Sequence, residues 1–96
     1  KNNFQQTGSN KEIMNVEKLN DKWTSFGWHT TELDGHNIQD LYSFFNESKD
    51  IKKPKAIIAN TIKGKGFSFS ENNNEWHHSI LSKSFHEKAL KELIEK

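Results

Sequence analysis

Between Pro54 and the Lys63-Gly64-Lys65-Gly66 loop stand four consecutive apolar residues, Ala56-Ile57-Ile58-Ala59, and this run constrains the fold most. A short apolar run bounded in this way suits a strand covered on both faces, as in a parallel sheet with helices above and below. In open sheets of that kind, ligands bind beyond the carboxyl ends of the strands. That edge is where Thr61 to Gly66 emerges, with two glycines that let backbone amides approach an anion and two ammonium groups beside them. Candidate chemistry therefore begins at Thr61.

The preceding segments supply partners for this strand. Val16, Leu19, Trp23 and Phe26 recur at three- and four-residue steps, so they line one face of a helix that Asn15 can cap and Gly27 can end. Trp28-His29-Thr30-Thr31-Glu32-Leu33 is aromatic and β-branched and stops at Asp34-Gly35, which reads as a strand and its turn. Asn37 then caps a second helix with Ile38, Leu41, Phe44 and Phe45 at helical spacing and Asp40 in the first turn, ending near Lys49. Strand, helix and strand together have the length of a parallel crossover. Beyond the loop, Ser84 with Glu87 makes a capping-box pattern for a closing helix, whose apolar stripe is Ala89, Leu90, Leu93 and Ile94. The expected fold class is α/β: part of an open, mainly parallel sheet with flanking helices, incomplete within these residues.

Only 31% of the 96 residues are apolar, against roughly 45–50%, counted with glycine, in an ordinary soluble domain. A core built from them is thin, and the chain reads as a piece of a larger domain. The opening KNNFQQTGSN has the character of a loop that follows another element. With 14 basic and 13 acidic residues the net charge is +1. No global field points to nucleic acid or to an anionic membrane. Without cysteine there is no disulfide framework and no thiolate metal site. The apolar runs are too short to span a bilayer, and no signal-peptide pattern is visible. The expectation is a cytoplasmic protein with neither a nucleic-acid nor a membrane partner.

Several residues could carry chemistry. His77 and His78 are adjacent, so on an extended backbone they point to opposite sides and one of them faces any given pocket. Together with His86 they lack HExxH or comparable zinc spacing. The Lys63-to-Gly66 loop has neither the Walker spacing of a P-loop nor GxGxxG, so nucleotide hydrolysis and hydride transfer are not indicated. His29 and His36 suit packing and turn hydrogen bonds, and Trp23, Trp28 and Trp76 suit anchoring in a core or interface. Asn2 and Asn3 are either turn residues or, through an amide oxygen and a nearby carbonyl, ligands for Mg²⁺ or Ca²⁺. Spacing alone leaves both readings open.

Three motifs in order carry a family resemblance: KNNFQQTG at the start, FGWHTTELDGHN from Phe26, and IIANTIKGKGFSFSENNNEWHH from Ile57. Together they resemble the distal third of the amino-terminal, thiamine-diphosphate-binding part of transketolase. The likeness spans nearly the whole chain, so residues 1–96 are expected to be the distal fragment of a single thiamine-diphosphate-binding domain. The resemblance implies transfer of a two-carbon ketol unit between sugar phosphates, with thiamine diphosphate and Mg²⁺ (or Ca²⁺) as cofactors. In that family a Gly-Asp-Gly motif, absent from these 96 residues, supplies an aspartate ligand. Asn2 matches the family's asparagine ligand, Phe4 the position of its carbonyl ligand, and Gln6 a position packed near the cofactor.

By the same resemblance His77 matches the histidine near the diphosphate and the sugar, as a catalytic and cofactor-binding residue. The family commonly has Gly after it, where this chain has His78, and a larger side chain there bears on which acceptor sugar fits. The implied partners are sugar phosphates and the carboxyl-terminal transketolase section or subunit, in a dimer or a two-subunit enzyme. Alone, the fragment is expected to be inactive. Set against this is a non-catalytic reading, an α/β module whose Lys63 and Lys65 dock phosphate or other anions.

Overall fold

The computed structural model describes residues 1–5, 8–9 and 17–95. Its centre is a parallel pair of strands, β3 (His29–Asp34) and β4 (Lys55–Asn60), in register from His29 opposite Lys55 to Asp34 opposite Asn60. Helix α2 (Ile38–Glu47) connects them. Strands β1 (Phe4–Gln5) and β2 (Gly8–Ser9) form a separate two-residue antiparallel ladder. Helix α1 (Leu19–Ser25) packs on both β3 and β4. After β4 come a long loop, a 3₁₀ turn (Asn74–His77) and helix α3 (Lys83–Glu95). The α/β class with a parallel sheet is as the sequence led us to expect.

Helix α1 starts later than the periodicity predicts. Lys18 sits in the left-handed region (φ 59°), which no helix can run through, so the helix begins at Leu19. Asn15 and Val16 lie outside the described residues. Its end follows from Gly27 at φ 88°. Gly27 N donates to Thr24 O (2.9 Å) and Trp28 N to Trp23 O (3.2 Å), the paired bonds of a Schellman ending. The accompanying apolar contact is the edge-on packing of Trp23 against Trp28, ring centres 4.7 Å apart. Trp28 therefore closes a helix, and the strand starts one residue later than expected.

Helix α2 is capped as predicted, Asn37 accepting from Asp40 N at 3.2 Å. Phe44 is buried and stacks on His29 of β3, 5.9 Å between ring centres. Ile38 and Phe45, expected on the same buried stripe, are 77% and 61% exposed. In β4 only Ile58 is buried, so the two-sided cover expected for the run is not supplied by the described residues. In α3, Ala89 is buried while Leu90, Leu93 and Ile94 are exposed. The cap of α3 is Ser82, whose Oγ accepts from Phe85 N (3.3 Å). Ser84, the expected cap, lies inside the first turn and bonds Ser82 Oγ at 3.1 Å. The radius of gyration is 17.0 Å, against about 13 Å for a compact domain of this length. The thin core anticipated from composition is the observed one.

Candidate functional site at the carboxyl edge of the sheet

The chain's first residue is built into the sheet. Lys1 N donates to Ala59 O (2.6 Å) and Thr61 N donates to Lys1 O (2.9 Å). A residue bracketed in this way by positions on either side of Asn60 follows the parallel-ladder pattern. The Lys1 ammonium also meets Glu17 at 2.6 Å. Asn2 is thereby fixed beside the carboxyl end of β4, where the loop begins.

Asn2 then turns the chain back on itself. Its Oδ1 accepts from Phe4 N (3.1 Å), across Asn3 at φ 68°. Asparagine is favoured in such a turn because its short amide mimics a backbone carbonyl. An amide oxygen has two lone pairs, so this bond leaves Oδ1 able to accept once more. Asn2 and Phe4 are both half-buried. Neutral amide and carbonyl oxygens are the donor chemistry a hard divalent cation takes, so these residues fit a Mg²⁺-type ion as part of its shell. Gln6 lies outside the described residues.

The turn that leaves β3 also meets the end of β4. Gly35 N donates to Asn60 O (2.7 Å), and His36 N to Asp34 Oδ1 (2.9 Å). A Cβ on Gly35 would stand 2.6 Å from Thr61 Cγ2 and 3.0 Å from Ala59 Cβ, so only glycine lets the two turns approach this closely. His36 Nε2 accepts from Ile62 N at 2.9 Å. Asp34, His36, Asn60, Thr61, Ile62 and Lys65 line a cleft of about 370 Å³ here.

The Lys63-to-Gly66 loop is not a free turn. Asn72 N donates to Lys63 O (2.8 Å), and the buried Ser70 hydroxyl to Gly64 O (2.8 Å). Gly64 has φ 71°, and a Cβ there would lie 2.2 Å from Ser70 O. Gly66 N donates to Glu71 Oε1 (3.2 Å), and Ser68 N to Glu92 Oε2 (2.9 Å) while its hydroxyl bonds the same carboxylate. The anion-facing role expected of the glycine amides is therefore taken, at Gly66, by the protein's own carboxylate. Neither Lys63 nor Lys65 has an ion-pair partner among the described residues.

His77 ends the 3₁₀ turn and is exposed, as is His78. The turn is anchored by its other residues. Asn73 accepts from Glu75 N (3.1 Å), and Trp76 packs on Phe69 and Phe85 with ring centres 5.2 and 5.1 Å away. Phe69 and Phe85 are themselves 5.0 Å apart. Neither Asn2 nor His77 lines any of the four main clefts among the described residues. The structure brings Asn2, Phe4 and the loop base to one edge and leaves His77 on the aromatic platform. His36 makes the turn hydrogen bonds expected of it, but the sequence reading missed its partner Ile62, 26 residues away, and the Glu71 and Glu92 carboxylates that tie the loop down.

The family model described as "Transketolase, thiamine diphosphate binding domain" matches residues 1–93. The chain is 35% identical over 97 aligned positions to an apulose-4-phosphate transketolase subunit of Phocaeicola vulgatus, covering 100% of this chain and 34% of that protein. It is 42% identical over 93 positions to the 6-deoxy-6-sulfo-D-fructose transketolase subunit SqwG of a Clostridium species, covering 96% of this chain and 34% of that one. With the transketolase of Mus musculus it shares 39% identity over 69 positions, 72% of this chain and 11% of the mouse protein. The chain thus spans about a third of the length of the subunits it matches. With the match running through both the Asn2 edge and the His77 turn, the chain belongs to the thiamine-diphosphate-binding domain family of transketolase.

Proposed function

We propose that this chain works as part of a transketolase-type transferase, moving a two-carbon ketol unit between sugar phosphates. Supporting this is the ladder from Lys1 to Asn60, which holds Asn2 at the ligand edge of a parallel sheet. Beside it is a loop with two ammonium groups that have no ion-pair partner among the described residues. Asn2 Oδ1 and the Phe4 carbonyl would hold Mg²⁺ in this reading, with Gln6 near the cofactor. Because the Gly66 amide is engaged, attraction for the diphosphate falls to Lys63 and Lys65. Bound thiamine diphosphate supplies the carbanion-stabilising chemistry. His77, exposed and therefore accessible to a substrate, would hold or pass a proton at the sugar. A carboxyl-terminal partner section or subunit, organisation as a dimer or two-subunit enzyme, pentose phosphate substrates and a cytoplasmic location belong to the same proposal. Two of the relatives are themselves described as transketolase subunits.

The test uses the full-length protein with thiamine diphosphate, Mg²⁺, a ketose phosphate donor and an aldose phosphate acceptor. Replacing His77 with alanine should lower turnover by about 10²-fold or more, with the unfolding temperature unchanged. The isolated chain, with only Asn2 and Phe4 to offer a cation, should show no transfer. Full turnover by His77→Ala refutes the role of His77, and saturable micromolar cofactor binding to the isolated chain refutes the expectation that the chain binds the cofactor poorly by itself.

A further inference from the structure

Two turns meet at the carboxyl edge of the sheet, and one side chain joins them. The Asp34-Gly35-His36 turn leaves β3, while Thr61-Ile62 leaves β4. Asp34 Oδ1 accepts from His36 N (2.9 Å), which fixes the histidine backbone, and His36 Nε2 accepts from Ile62 N (2.9 Å). A ring nitrogen that accepts a hydrogen bond carries no proton, so this imidazole is the neutral Nδ1–H form. Ile62 immediately precedes Lys63, and its own carbonyl accepts from Lys65 N at 3.1 Å. The residue gripped by His36 therefore also closes the turn that carries both lysines. His36 and Lys65 line the same cleft.

The grip is short and stiff on both sides. Gly35 leaves no room for a Cβ against Thr61 and Ala59, and its N–H bonds Asn60 O at 2.7 Å. The β3 turn cannot shift without moving the base of the loop. Within the loop the Lys63 carbonyl accepts from Asn72 N, and Ser70 holds Gly64. The loop's entry from the sheet is what His36 holds.

We infer that His36 is a positioning residue: its neutral imidazole, through Ile62 N, sets the entry of the loop and so holds the Lys63 and Lys65 ammonium groups toward the diphosphate. This role rests on the transketolase reading given above, and His36 itself touches neither cofactor nor substrate. The requirement is an acceptor at the Nε2 position. Glutamine presents an amide oxygen at that reach, whereas asparagine places its oxygen one bond closer to the backbone and falls short of Ile62 N.

The experiment compares full-length protein carrying His36→Gln, His36→Asn and His36→Ala. Three quantities are read: thiamine diphosphate affinity by calorimetry with Mg²⁺, kcat at saturating cofactor, and the rate of tryptic cleavage after Lys63 and Lys65 without cofactor. The glutamine variant should stay within twofold of the unaltered protein in all three. The asparagine and alanine variants should bind the cofactor about tenfold more weakly, keep kcat within twofold once saturated, and be cut faster after Lys63 and Lys65. If alanine prevents folding, the contrast between glutamine and asparagine decides. Asparagine matching the unaltered protein, glutamine as weak as asparagine, or a fall in kcat with unchanged affinity overturns the role. Unaltered protein that binds no thiamine diphosphate instead sinks the transketolase reading itself, while the cleavage rates still report on the tether.

Discussion

Two halves of this molecule are held together by different means. From His29 to Asn60 the structure rests on backbone pairing: a six-residue parallel register, a capped helix, and a ladder that takes in Lys1. From Lys63 to Glu95 it rests on particular side chains. Ser70, Glu71 and Glu92 each bond a backbone group of the loop, and Phe69, Trp76 and Phe85 pack on one another beneath the 3₁₀ turn. Backbone pairing tolerates many residues at each position, because every residue but proline carries the same donor and acceptor. A scaffold of side-chain bonds has no such redundancy. In this family member the pairing half places the loop's base, and the side-chain half shapes the loop and carries His77.

The largest effect that separates the halves is expected at their glycines. Gly64→Ala puts a Cβ 2.2 Å from the Ser70 carbonyl oxygen at φ 71°, so backbone must move and the left-handed conformation is strained as well. A loss of about 2–4 kcal/mol follows. Gly35→Ala meets the Thr61 methyl first, at 2.6 Å, and a threonine side chain can rotate away. The expected loss there is about 1–3 kcal/mol. Urea unfolding of the full-length protein, followed by tryptophan fluorescence, gives both numbers. Equal losses, or a larger one at Gly35, would mean that the loop is less firmly built than the pairing half.

Ser70→Ala probes the same contrast more gently. The hydroxyl is buried and lies within hydrogen-bond distance of Gly64 O (2.8 Å) and Phe67 O (3.1 Å), so its removal strands acceptors inside the loop. About 1–2 kcal/mol should be lost, with faster amide exchange from Gly64 to Phe67 and none of that acceleration in β3 or β4. Exchange rising equally in the strands would show the two halves to be one cooperative unit.

The same contrast decides how much could be read from the sequence. Pro54, the apolar run, the Asp34-Gly35 turn and the Asn37 cap are local signals, and each stands where local chemistry puts it. Trp28 differs because its aromatic character fits a strand, while the bond that decides its place, to Trp23 O, depends on Gly27 one residue earlier. Periodicity marks Ile38, Phe45, Leu93 and Ile94 as apolar faces but is silent on what covers them, and here they are open. Of the candidate site, the loop's place at the sheet edge was legible, and the reading of Asn2, Phe4 and His77 came through resemblance. The tether from His36 to Ile62 and the carboxylates of Glu71 and Glu92 were not legible, because nothing local marks a hydrogen bond to a distant backbone N–H.

The smallest effect tests where the side-chain half begins. A helix start leaves amides without partners, and one hydroxyl can satisfy one of them if its own residue lies outside the helix. Ser82 meets that condition: its Oγ accepts from Phe85 N at 3.3 Å, and its carbonyl already takes His86 N at 2.9 Å. Ser84, despite the Glu87 that follows it, is a residue of the first turn, and its hydroxyl bonds only the Ser82 hydroxyl among the bonds described. Ser82→Ala should therefore cost about 1 kcal/mol, and Ser84→Ala about 0.5 kcal/mol or less, as for a surface position. The 3.3 Å length puts Ser82 at the long edge of hydrogen bonding, so its cost belongs in the lower part of the capping range. A reversed order in urea unfolding would restore the capping box of Ser84 and Glu87 and move the start of α3 two residues onward. Phe85 would then sit at the helix N-terminus, where its packing on Phe69 and Trp76 would have to hold without a helical turn before it.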